Sequence, residues 1–116
     1  MKIKRFEDII AWQKAQDLAV DIYNNFGKLR DLGFKDQICR AVVSISNNIA
    51  EGFDRCSNAD FSRFLYIAIS SSSEVKSMLY LAERLNFTGS EQKIILLDKT
   101  DELAKVTGGF IKSLQK

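Results

Sequence analysis

Apolar residues recur at helical spacing through nearly the whole chain, and projection at 100° per residue resolves four amphipathic segments. The first spans about Glu7 to Phe26, with Trp12, Ala15, Leu18, Ala19, Ile22, Tyr23 and Phe26 on one face. Glu7 and Asp8 fall in its first turn, where the helix dipole favours acids, and Gly27 is a natural stop. The second spans about Phe34 to Phe53 and lines up Ile38, Ala41, Val42, Ile45 and Ile49. The link from Gly27 to Gly33 holds two glycines and Asp31 and reads as a loop. Gly52, near the end of this segment, suits a C-cap or a close helix approach.

The third segment is the longest, from about Asn58 to Leu85, and Ser57 followed by Asp60 is a shortened capping box. Its core stripe is Phe61, Phe64, Leu65, Ala68, Val75, Met78, Leu79, Ala82 and Leu85, and Asn86 is suited to a left-handed ending. The fourth runs from about Ser90 to Leu114, with Thr88 and Glu91 placed as a capping box. Leu96, Thr100, Leu103, Thr107, Phe110 and Leu114 repeat at steps of four and three, which is a packing seam. Gly108-Gly109 lies within that seam, at about 1 kcal/mol per glycine relative to alanine. It predicts either a frayed or bent last turn or a site of close packing.

Four such helices with short links predict an all-α, antiparallel up-down four-helix bundle, one domain over residues 1–116. No segment alternates with period two for long enough to propose a sheet. A chain of 116 residues buries roughly two thirds of its unfolded surface, enough for one core without disulfides or metals.

Composition narrows the chemistry. There is no histidine, which excludes Ser-His and Cys-His nucleophile pairs, histidine metal sites and a histidine pH switch. The 17 basic and 15 acidic residues leave a net charge of +2. Lys2, Lys4 and Arg5 form the one basic cluster, too few charges for a phosphate-binding arm. Cys39 and Cys56 cannot close a zinc site by themselves. Seventeen residues apart in or beside one helix, they stand roughly 25 Å from each other, so both are expected as free thiols. Charged residues interrupt the first apolar positions, so no signal peptide is expected, and reduced thiols fit a cytoplasmic location. The longest apolar run is Ile94 to Leu97, far short of a membrane span.

The third helix carries more apolar surface than one core face uses. Tyr66, Ile69 and Tyr80 lie roughly opposite Phe64, Ala68 and Ala82, with Ser70, Ser73 and Ser77 beside them. Aromatic residues among small ones suit a tight protein contact, so Tyr66, Ile69, Ser73 and Tyr80 are expected at a subunit interface. On the second helix Arg40, Ser44, Asn47 and Glu51 share a polar face. If the turn centres near Ser57, antiparallel packing sets Arg40 against Glu74 and Ser44 against Ser70, an ion pair and a close serine contact. The run Ser70 to Ser73 has no histidine and only Glu74 adjacent as a base; a serine–lysine arrangement with Lys76 is the formal alternative, and small residues allowing close helix approach are the better account. Glu51 and Glu74 lack the Glu-x-x-His partners of a di-metal site. No catalytic, cofactor or metal residue is identified, and the chain is read as no enzyme.

Phe6-Glu7-Asp8-Ile9, Ala11-Trp12-Gln13-Lys14-Ala15, Gln37-Ile38, Arg40-Ala41, Ser44-Ile45 and Asn48-Ile49-Ala50-Glu51-Gly52 form one set of words. Arg55, Phe61, Arg63-Phe64-Leu65, Ile67-Ala68, Ser71 and Glu74 continue it. Together they resemble the 23S rRNA intervening-sequence protein family, also called the four-helix bundle protein family, from Phe6 to about Phe87. The resemblance implies a bundle assembled as a ring-shaped homopentamer. Some members are encoded in inserts within ribosomal RNA genes. A related branch, the accessory proteins of diversity-generating retroelements, binds a reverse transcriptase and nucleic acid and is much more basic. This chain departs from the pattern: Gly27 and Leu29 occupy the place of a Phe-Pro in the first loop, Cys39 that of a second arginine, and Ser70 that of a glycine. The expected function is a non-enzymatic homo-oligomeric assembly or binding module. The alternative is a nucleic-acid-binding accessory factor. Its partners are a second copy of itself and RNA, DNA or a nucleic-acid-processing protein, with no membrane.

Overall fold

The computed structural model describes residues 3–115; Lys2, from the basic cluster, lies outside them. A 3-10 turn, Phe6–Asp8, precedes four α-helices: α1 Ile10–Phe26, α2 Leu32–Phe53, α3 Asn58–Arg84 and α4 Ser90–Leu114. Each helix packs on the next and α4 closes on α1, while among the described residues the diagonal pairs keep their Cα atoms more than 8 Å apart. Cross-helix pairs fix the directions. Lys14 meets Glu102 and Asp21 meets Lys99, so α1 and α4 are antiparallel. Ser44 meets Ser71 while Gly52 abuts Phe64, so α2 and α3 are antiparallel too. The result is a rod-like square bundle, 44 × 22 × 19 Å.

Local chemistry sets the helix ends. Ile9, extended and almost wholly buried, separates the Phe6–Asp8 turn from α1. Glu7 and Asp8 therefore sit in that turn and not in the first turn of α1. Phe6 is held edge-on against Trp12, with ring centroids 5.3 Å apart. Helix α2 begins two residues earlier than its apolar pattern indicates, because the Asp31 carboxylate accepts the Phe34 N–H at 3.0 Å and satisfies an otherwise free donor. Ser57 does the same for Asp60 N–H at 3.1 Å. Asn86 takes the left-handed conformation, φ 59°, and ends α3. The capping box expected from Thr88 does not form. Gly89 is the N-cap without a side-chain bond, and α4 is anchored instead by Ser90 Oγ and Lys93 Nζ, each donating to the Glu83 carboxylate at 2.7 Å.

The core is a column of branched aliphatics. Ile22, Ile38, Ile45, Ile49, Leu65, Leu79, Leu96 and Leu103 are all essentially inaccessible, and each such side chain contributes about 1.5–3 kcal/mol. Thr100 and Thr107 are buried in the α4 seam with their hydroxyls bonded to the Leu96 and Leu103 carbonyls at 2.7 Å, which removes the cost of burying them. Two expected core positions, Tyr23 and Leu85, are half exposed, while Trp12, Ala19 and Phe110 are half buried against the core and Ile111 is buried beside Phe110 in α4. The stripe that a bundle buries is narrower than the apolar arc of the sequence, so residues at the arc's edge emerge. Gly52 is a point of close approach: a Cβ there would stand 2.7 Å from the Phe64 Cβ. Gly108 and Gly109 are not. Nothing lies within 4 Å of an added Cβ at either, and α4 continues through both.

Candidate functional site

The polar stripe of α2 divides into two lines by helical phase. Gln37, Ser44 and Asn48 turn toward α3, and Arg40, Asn47 and Glu51 face outward. On the α3 side the Ser44 and Ser71 hydroxyls share a hydrogen bond of 2.9 Å. Asn48 Nδ2 donates to the Ser44 carbonyl at 2.8 Å and to its hydroxyl at 3.0 Å. Gln37 Nε2 donates to Glu74 at 3.3 Å. These contacts replace the two expected ones. Ser44 pairs with Ser71 and not Ser70, which is exposed, and no Arg40–Glu74 ion pair forms among the described residues. The register differs by one residue, which is 100° of helix and turns Ser70 from the seam to the surface. Arg40 lies near the height of Glu74 but on the outer line, and Gln37 on the α3 side makes the contact with Glu74 instead.

Outward, Arg40, Asn47 and Glu51 line an open concavity of about 390 Å³ with Tyr23 and Val43. It continues toward α1 past Val20 and Asn24 and toward the α1–α2 loop past Lys35 and Asp36. Neither Arg40 nor Glu51 has an ion-pair partner among the described residues. Cys39 lies at the floor. Burial raises its thiol pKa above the ordinary range, and a hydrogen bond with the Tyr23 side chain opposes part of that rise. A raised thiol is a poor nucleophile at neutral pH.

The outer face of α3 keeps Tyr66 54% and Tyr80 48% exposed, with Ile67 and Leu81 beside them. Ser70, Ser73 and Ser77 are exposed between these two apolar groups. Ile69 differs from its expected partners: it is half buried and packs on the chain's own core. Tyr80 carries the Lys93 ammonium 5.2 Å from its ring centroid. At the α2–α3 turn, the guanidinium groups of Arg55 and Arg63 lie 4.5 and 4.8 Å from the Phe64 ring centroid, within cation–π range. Among the described residues no three His, Cys, Asp or Glu side chains group as a metal site, and no helix is long and apolar enough to cross a membrane. Cys39 and Cys56 are both free thiols, one buried and one exposed.

Ile67, Leu81, Ser71, Gln37 and Asn48 complete these surfaces although the periodicity did not select them. All but Leu81 stand in the words shared with the family, and the one-residue register is the signal that would have placed Ser71.

No curated protein matches the chain. A solved structure from Bacteroides thetaiotaomicron VPI-5482, described as a protein with unknown function from the S23 ribosomal protein family, is similar to it. The two share 28% identity with a TM-score of 0.83, over 89% of this chain and 99% of that one. The family model for the 23S rRNA-intervening sequence protein matches residues 7–109, which takes in α1 to α3, most of α4 and both surface stripes. By that match and that shared bundle, the chain belongs to the 23S rRNA-intervening sequence protein family.

Proposed function

We propose that the chain is a homo-oligomeric assembly module without catalytic chemistry of its own. It works in the cytoplasm and closes, as the family resemblance implies, into a ring of five copies that presents a surface to a macromolecular partner. The observation that carries this reading is the outer face of α3. Tyr66, Ile67, Tyr80 and Leu81 stay exposed on a bundle whose core is already closed by all four helices, with small serines between them. Two exposed apolar groups joined by small side chains on one helix face suit a protein contact. The concavity on α2 is open, its thiol is buried with a raised pKa and its Ser44 hydroxyl is bonded to Ser71, which supports a binding role over a catalytic one. Light scattering on the purified protein tests it: a mass near five times 13.2 kDa supports the pentamer, and 13.2 kDa at micromolar concentration rejects assembly.

A second reading, a nucleic-acid-binding accessory factor, draws on Arg55 and Arg63 stacked against Phe64. Guanidinium groups beside an aromatic face offer both phosphate contact and base stacking. The net charge of +2 gives it little long-range attraction. Fluorescence anisotropy with a single-stranded RNA at about 0.15 M salt decides it. The reading requires binding that weakens with salt and is lost in the Arg55→Ala, Arg63→Ala double variant.

A further inference from the structure

We infer that the copies join head to tail, with the α1–α2 concavity of one receiving the outer face of α3 of the next, in a register fixed by two reciprocal charge pairs. The inference rests on the assembly reading above and names the two faces it uses. Four unlike charges carry it. On the outer line of α2, Arg40 and Glu51 have no ion-pair partner among the described residues. On α3, among the described residues, Glu74 at the edge of the outer face nearest α2 has only the Gln37 amide at 3.3 Å, and Arg63 has only a 3.5 Å contact with Asp60 besides its ring contact.

Their heights match. The Ser44–Ser71 bond and the Gly52–Phe64 contact set the α2–α3 register. By that register Arg40 stands within two residues of the height of Glu74, and Glu51 within two residues of Arg63. A ring whose axis runs along the bundle rotates each copy without shifting it along the helices. Residues of α2 in one copy and α3 in the next therefore meet at equal height, in antiparallel order. Arg40 then faces the next copy's Glu74, and Glu51 faces its Arg63. Both pairs are attractive, and sliding the helices by three or four residues breaks both.

Shape agrees with charge. The Gln16–Ser46 bond sets α1 against α2 and, with the α2–α3 register, brings Val20 to the height of Ser73 and Tyr23 to that of Ser77 on α3. The bulky residues of the concavity thus oppose the serines of the ridge, and Tyr66 and Tyr80 of the ridge fall above and below them. An interface between two different faces repeats around a ring, whereas a like-to-like contact stops at a dimer.

Charge reversal tests the register. Arg40→Glu and Glu74→Arg are made singly and together, and mass is followed by light scattering across a dilution series. Each single reversal is expected to raise the dissociation midpoint at least tenfold, and the double reversal to restore it to within about threefold. Both residues are exposed, and helix content by circular dichroism confirms folding of each variant. Should one reversal misfold, Glu51→Arg with Arg63→Glu supplies an independent cycle with the same expectation. Single variants that assemble like the parent, or a double variant that stays apart, overturn these faces while leaving the assembly reading intact. A parent protein that is monomeric throughout overturns the assembly reading itself.

Discussion

Replacing Gly52 by alanine pushes a methyl group into the tightest point between α2 and α3. The added Cβ would lie 2.7 Å from the Phe64 Cβ and 2.9 Å from the Phe61 Cδ1, against 3.4 Å or more for ordinary contact. The Phe64 Cβ is rooted in the α3 backbone and cannot swing aside, so the helices must part or Phe61 must repack. Overpacking of this kind costs about 1–3 kcal/mol. Alanine recovers up to about 1 kcal/mol through its higher helix propensity. The variant is expected to be about 1–3 kcal/mol less stable than the propensity gain alone would make it, a loss of up to about 2 kcal/mol against the parent, or up to roughly 8 °C in Tm at about 4 °C per kcal/mol. Gly108→Ala and Gly109→Ala are the internal controls. They make the same chemical change inside α4, where nothing lies within 4 Å of the new atom, and each should stabilise by about 0.5–1 kcal/mol. Urea unfolding followed by circular dichroism measures all three, at one fixed protein concentration because assembly adds to apparent stability. A Gly52→Ala protein stabilised as much as the two controls would refute the claim that Gly52 is held by packing.

The helix ends, the thiols and acid stability give further tests. Asp31→Ala removes the cap from Phe34 N–H and should cost about 1 kcal/mol in the same unfolding assay, with Asp31→Asn losing little. In the native protein a thiol reagent should label exposed Cys56 rapidly and buried Cys39 only on unfolding; rapid labelling of both would mean that the Cys39 site opens readily. Bonds from Lys93 and then Ser90 hold the Glu83 carboxyl below the usual glutamate range, so its contribution to stability is present above its unfolded value of about 4.3 and is lost as pH falls through the lower folded value. Unfolding midpoints measured from pH 7 downward should therefore fall less steeply on the acid side for Glu83→Gln than for the parent, and parallel curves would contradict the assignment.

The number of helices, their order and most of their inward faces are written in the chain itself, because a 3.6-residue period of apolar side chains is a local property. The endings at Ser57 and Asn86 are local too, since a cap bonds to a backbone group only a few residues away. The resemblance, carried by words spread over three helices, named the family. Register between helices is different, because a shift of one residue leaves the periodicity of each helix unchanged. The packing of Gly52 on Phe61 and Phe64 decides it, and with it that Ser71 meets Ser44 while Ser70 faces out. The same cause separates Arg40 from Glu74: their similar height was legible, but the direction in which each side chain leaves its helix was not. Tyr23 belongs to the apolar arc of α1 by sequence and to the surface by structure. How much of an arc is buried depends on where the neighbouring helices lie, and only the assembled bundle fixes that.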